Sequence, residues 1–410
     1  MALLNQEQGF KFLWSQRTDI YGQPPHKIDE RPSSLIWLLR GLWDDRDYYY
    51  CEIFQGNAFQ VFPVDTIVPP DILEKIRTDT NTYLYICNTH ESFLDIVEPL
   101  YKALVIDGDI PARKIYISNE APDLEKEVRR YADANGLEYM NVEWVLEFEY
   151  SISFQANELK LNMDNMLTDK HYDKKFLNFN RRWRLQRPTF VALLKAKGLL
   201  DKGYVSLAPS DDGRDWQYMW PWIKSHHKDA EMSELFASID DQIPLPPLYL
   251  DTDELVNNRA IFEPQSLYLY ENSIVSVVNE TTFYHGEHPN ESRFLSEKIF
   301  KPIAVGHPFI FLTVPKSLEV LRSLGYKTFH PYIDESYDNE FDNNTRMKMV
   351  LKEVERISNF TDEEVREFIN KVKPICAHNQ YLLRSKSLPF CSGNDPGSKI
   401  LRQHFVRTML

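Results

Sequence analysis

Short apolar runs alternate with polar helical stretches along the first half of the chain: "TYLYICNT" at 82 to 89, "ARKIYISNE" at 112 to 120, "LEKEVRRYADANG" at 124 to 136 and "LEYMNVEWVL" at 137 to 146. A run of four to eight apolar residues is a strand buried on both faces, and a helix between two such strands makes them parallel. The runs end in Asn, Thr, Ser or Glu, so polar groups are delivered to the edge of the sheet where open α/β folds bind ligands. The second half repeats the exchange. "FLNFN" is followed by a helix "RPTFVALLKAKG" opened by Pro188 and stopped by Gly198, then by strands in "YVSLAP", "SIVSVVNET" and "FIFLTV". From about residue 338 the text reads as consecutive helices, with Thr361 capping the acidic turn Asp362-Glu363-Glu364.

With 410 residues the chain exceeds one ordinary core and suits two. Polar text between 150 and 174 marks the expected junction. The expected division is an N-terminal α/β domain at 1–165, a C-terminal α/β domain at 174–375 and a helical tail at 376–410. No run approaches the roughly 20 apolar residues of a membrane span, and the opening "MALLNQEQGFKFLWSQ" has no basic segment leading into an apolar one. A soluble, cytoplasmic protein is expected. The four cysteines, Cys51, Cys87, Cys376 and Cys391, are scattered without metal-ligand spacing. A formal charge of −14 repels polyanions, so nucleic acid is not an expected partner.

Against that acidic background two stretches carry chemistry. In "NESRFLSEKIFKPIAVGHPFIFL" at 290 to 312, Ile299, Phe300, Ile303 and Ala304 fall at helical spacing, with Gly306 as the stop. Ser296 is placed to cap this helix, and Glu297 and Lys298 stand in its first turn, where free amides and the dipole favour an anion. A carboxylate balancing the dipole beside a solvated lysine fits the local text equally well. The second stretch, "KKFLNFNRRWRLQRPTF" at 174 to 190, places Arg181, Arg182 and Arg187 after a strand ending at Asn180. Guanidiniums there would meet a pyrophosphate with paired hydrogen bonds, or form a solvated basic turn.

Together these stretches resemble the fucosyltransferase family that contains the α1,3-fucosyltransferases, and also a broader group of soluble glycosyltransferase-like proteins of bacteria and large viruses. The resemblance lies in the order "SIVSVVNETTF", Ser296-Glu297-Lys298, "IFKPIAVG", "HPFIFL", with Arg187 ahead of a helix, and covers roughly 174 to 330. It departs from the family in the order Asn279-Glu280-Thr281 and in the added residues "YHGEHPNE". It implies two facing Rossmann-like domains of the GT-B type, with a nucleoside-diphosphate sugar on the second. Lys298 and Arg187 would hold the pyrophosphate and Glu297 the donor hydroxyls, with Arg182, Asn279 and Ser296 completing the donor set.

Inverting transfer to a glycan or other hydroxyl acceptor needs a carboxylate base, expected from the first domain. In "YICNTHESFLDI" Glu91 follows a strand and is the expected base. The pairs Asp107-Gly108-Asp109 and Asp251-Thr252-Asp253 read as turns, and neither a metal nor any cofactor besides the donor is expected. "DWQYMWPWIKSHH" at 215 to 227 is either packing or an aromatic platform. The rival function is a binding protein that keeps this fold without turnover; a dinucleotide enzyme is disfavoured because the 14 glycines form no G-x-G-x-x-G after a strand.

Overall fold

A computed structural model describes residues 12–18, 26–27, 47–53, 64, 68–88, 94, 96–159, 166–181, 184–207, 216–243, 248, 250, 264–284 and 292–391. The chain is α/β and divides into two compact units.

The first unit is built on a six-stranded sheet of order β2-β1-β3-β4-β5-β6. Its strands are β1 (Phe12–Thr18), β2 (His26–Lys27), β3 (Asp47–Ile53), β4 (Thr82–Asn88), β5 (Ile115–Asn119) and β6 (Asn141–Trp144). Only the β1–β2 pair is antiparallel. Helices α1 (Pro70–Thr78), α2 (Val97–Leu100) and α3 (Leu124–Asn135) connect the parallel strands. Leu84, Ile86, Ile115 and Ile117 from the sheet pack with Leu100, Leu124, Val128 and Ala132 in one core. Each such Leu, Ile or Val side chain taken fully out of water contributes about 1.5 to 3 kcal/mol, which is why "TYLYICN" and "IYISN" hold as strands. Residues 292–294 return to this unit, where Arg293 makes a two-pronged ion pair with Asp123, at 3.0 and 2.6 Å.

The second unit carries a four-stranded, all-parallel sheet of order β10-β9-β7-β8. Its strands are β7 (Phe176–Asn178), β8 (Gly203–Val205), β9 (Ser276–Asn279) and β10 (Phe309–Leu312). Before, between and after them run α4 (Glu147–Glu158), α5 (Gln186–Ala196), α6 (Trp216–His226), α7 (Ala230–Ala237), α8 (Pro264–Glu271), α9 (Glu297–Ala304), α10 (Ser317–Ser323), α11 (Asn343–Ser358) and α12 (Asp362–Cys391). Every residue of β9 and β10 is buried, as a strand covered on both faces requires. Gly198 and Gly306, read as helix stops, adopt φ of +65° and +69°, a conformation that costs a Cβ-bearing residue but not glycine. Thr361 caps α12 as read, its hydroxyl accepting the Glu364 amide at 3.3 Å, while the Glu364 carboxylate accepts the Thr361 amide at 2.8 Å.

Three readings are corrected. The junction falls at Glu149, not near 165, because the polar text after 150 forms α4: Ser153 donates to the Leu383 carbonyl at 2.6 Å and Asn157 to the Arg384 carbonyl at 2.9 Å, fastening α4 to α12. Of the tail expected at 376–410, residues 376–391 continue the 30-residue α12, which begins at Asp362, and residues 392–410 lie outside the described residues. Helix α5 begins at Gln186, so Arg187 lies in its first turn and does not precede it.

Candidate functional site

In the second sheet the chain steps from β7 outward to β8 and then returns to the other side of β7 to lay down β9. The direction of winding therefore reverses between β7 and β9. Outside the carboxyl ends of the two strands at such a reversal, the connecting segments part and leave a crevice, the place where open α/β sheets bind ligands. Every described residue of the expected donor set lies at this edge.

Asparagines tie the edge together. The Asn279 amide donates to Asn180 Oδ1 at 2.6 Å, the Asn180 amide to Asn178 Oδ1 at 2.6 Å, and the Asn178 amide to the Val277 carbonyl at 2.7 Å. All three are buried. Asn279 Oδ1 has no hydrogen-bond donor among the described residues and is shielded from water. From α5, Gln186 donates to the carbonyls of Glu280 and Thr281 at 2.7 and 3.2 Å, and Arg187, only 3% exposed, reaches the Asn279 carbonyl at 3.5 Å.

Glu280, fully buried, ties the end of β9 to the start of α9. Its carboxylate accepts the Thr281 amide at 2.7 Å, the Ser296 amide at 3.0 Å and the Ser296 hydroxyl at 2.6 Å. Having given its proton to Glu280, the Ser296 oxygen accepts the Lys298 amide at 3.3 Å, capping α9, and the Lys298 ammonium at 3.0 Å. That ammonium also donates to Thr281 Oγ1 at 3.3 Å and lies 3.1 Å from Glu297 and 3.6 Å from Glu280. Burial would push the Glu297 carboxyl up, but Lys298 and Lys301 outweigh it and hold the group down at about 2. Glu297 is thus an ionised acceptor at every physiological pH. The side chains of Lys298 and Glu297 keep 26% and 28% of their surface exposed, so this cation and this acceptor are presented together at the lip of the crevice.

The structure accordingly brings Arg187, Asn279, Ser296, Glu297 and Lys298 to one edge. Arg182 and Glu91 lie outside the described residues. The sequence reading missed Glu280 as the anchor, and Gln186 altogether. The signal for Glu280 was present: an Asn-Glu pair closing an apolar strand also occurs at Asn119-Glu120 after β5. There, too, the Asn is bonded to an Asn ending the neighbouring strand, Asn119 to Asn88 Oδ1 at 2.6 Å, and the Glu is buried. Among the described residues no group of three or more His, Cys, Asp or Glu side chains could hold a metal ion.

No family model matches the chain, and no curated protein matches it in sequence. Solved structures overlap it loosely. An α,α-trehalose-6-phosphate synthase from Burkholderia multivorans aligns with TM-score 0.41 at 12% identity, over 90% of this chain and 71% of that one. A UDP-forming α,α-trehalose-phosphate synthase from Burkholderia vietnamiensis gives 0.41 at 12%, over 90% and 76%. The N-terminal domain of a Candida albicans trehalose-6-phosphate phosphatase gives 0.38 at 9%, over 87% and 70%. At this degree of overlap the functional reading rests on the side chains. Among the described residues no helix is long and apolar enough to cross a membrane.

Proposed function

We propose that the chain is a glycosyltransferase whose second unit binds a nucleoside-diphosphate sugar at the β7/β9 edge and passes the sugar to a hydroxyl of a glycan or similar acceptor. The observation that carries this reading is Lys298, a partly exposed ammonium held by Ser296 and Thr281 at the start of α9, in the crevice where the sheet reverses. A pyrophosphate placed there meets the ammonium and the first-turn amides of α9. Glu297, ionised and partly exposed beside it, is placed to accept hydrogen bonds from donor hydroxyls. Asn279 Oδ1 and the Arg187 guanidinium lie buried beneath this edge.

In the transfer itself the acceptor oxygen attacks the anomeric carbon, the bond to the diphosphate breaks, and the acceptor proton passes to a carboxylate. With the leaving diphosphate neutralised by Lys298 and Arg187, no metal is required, and a single displacement inverts the anomeric centre. Glu91 is the proposed base, Arg182 a further phosphate contact, and fucose the sugar that the sequence resemblance favours. A cytoplasmic location accompanies this reading. The test is incubation with a panel of nucleoside-diphosphate sugars, with and without a chelator. Release of nucleoside diphosphate from at least one donor in both conditions is expected; nucleotide binding without release from any donor would favour a binding protein instead.

A further inference from the structure

Beyond the cation at the lip of the crevice, the loop that leaves β9 runs into a cluster of rings. Thr281, whose hydroxyl receives the Lys298 ammonium, is followed three residues later by Tyr284, at most about 11 Å further along the chain. The Tyr284 ring meets His226 edge to face, with centroids 5.2 Å apart, and His226 also meets Trp222, at 5.4 Å with the planes inclined by 39°, and His227 edge to face at 5.3 Å. Trp222 and His226 lie one turn apart on α6, which is why they share a face. The cluster is fixed from beneath. His227, 1% exposed, sits with Nδ1 2.6 Å from Asn344 Oδ1 and Nε2 3.0 Å from the Tyr284 hydroxyl. An Nδ1 proton given to Asn344 leaves Nε2 to accept the Tyr284 proton. On its far side the Tyr284 ring is braced edge to face by Phe283 at 5.1 Å, itself covered by the Arg346 guanidinium. Trp222 nonetheless keeps 47% of its surface exposed, and His226 and Tyr284 are half-buried.

An aromatic face that is held rigid and left wet, one short loop away from a phosphate-sized cationic site, fits a flat heteroaromatic ring attached to a phosphate. We propose that the Trp222–His226–Tyr284 surface stacks the nucleobase of the donor, an inference that rests on the donor-site reading above. Stacking on rings discriminates little among bases, because every base presents a π face. The affinity advantage of a nucleoside diphosphate over bare pyrophosphate would then come from this surface, and the charge contribution from Lys298.

The experiment is calorimetric titration of the full chain and of Trp222→Ala and Tyr284→Ala with UDP, GDP and inorganic pyrophosphate. Loss of one stacking partner is expected to weaken UDP and GDP binding by about fivefold to a hundredfold, while the pyrophosphate Kd moves less than about twofold. Trp222, half exposed on a helix surface, is the variant that keeps the test open if Tyr284→Ala does not fold. Equal weakening for pyrophosphate, unchanged nucleotide binding in Trp222→Ala, or an affinity of the unaltered chain for pyrophosphate equal to that for UDP and GDP would each overturn the stacking surface and leave the donor site standing. An unaltered chain that binds none of the three would overturn both.

Discussion

Glu280 and Ser296, sixteen residues apart, are joined twice: the Ser296 amide and hydroxyl both donate to the Glu280 carboxylate, at 3.0 and 2.6 Å. This pair of hydrogen bonds joins the end of β9 to the start of α9, and it orients the hydroxyl whose remaining lone pairs receive Lys298.

Glu280→Ala removes the acceptor from the Thr281 amide and from both Ser296 groups. The folded state is expected to lose about 1.5 to 3 kcal/mol, the scale of hydrogen bonds to a charged group, read as a lower midpoint in urea. Nucleoside-diphosphate affinity should fall as well, since Ser296 would no longer hold the ammonium in place. A variant with an unshifted midpoint would mean that Glu280 does not organise the edge.

His307 supplies a pH dependence. Buried where α9 leads into β10, it lies with Nδ1 2.8 Å from Ser276 Oγ and Nε2 2.9 Å from the Ser273 carbonyl. Burial pushes its pKa down to about 4, from 6.5, although the bond to Ser273 opposes the shift. The unfolded chain therefore takes up this proton first. The contribution is whole above pH 6.5 and drains away as pH falls towards 4, by about 3 kcal/mol at 1.36 kcal/mol per pH unit. Denaturation midpoints at pH 7.5 and 4.5 should differ less in His307→Gln than in the unaltered protein; equal differences would remove His307 from the account.

The strands and their polar ends could be read from the sequence because a buried parallel strand is a local pattern: "TYLYICN", "IYISN" and "SVVN" each state their own class. The cap at Ser296 and the stop at Gly306 are local as well. Helix α4 was not legible, since its polar residues are held by carbonyls near residues 383 and 384, more than 220 positions away. The acidic stretch "YIDESYDNEFD" offered no reading for the same reason. Its buried carboxylates serve backbone amides outside the stretch, Asp338 that of Leu318, twenty positions back, at 3.0 Å, and Glu335 that of Phe329, six positions back, at 2.5 Å. Of the site, Lys298 and Glu297 were readable from their place in a first turn, whereas Gln186 and the anchoring role of Glu280 depend on a β7/β9 adjacency that residue spacing does not encode.

Glu91→Gln tests the base. An amide of the same shape cannot take the acceptor proton but leaves the phosphate contacts untouched, so turnover is expected to fall by roughly 10² to 10⁴ with donor Kd nearly unchanged. Near-normal turnover would clear Glu91 and turn attention to Glu120, buried at the end of β5. Donor affinity lost together with turnover would reassign Glu91 to binding.

The central claim is that the β7/β9 edge of the second unit holds a diphosphate through Lys298. Calorimetry of Lys298→Ala against the unaltered chain, with the nucleoside diphosphate of whichever donor is turned over, measures it directly. The account predicts a folded variant whose binding is weaker by about 1.5 to 3 kcal/mol, a Kd roughly ten to a hundred times larger. A folded Lys298→Ala protein that binds the nucleotide as tightly as the original would contradict it.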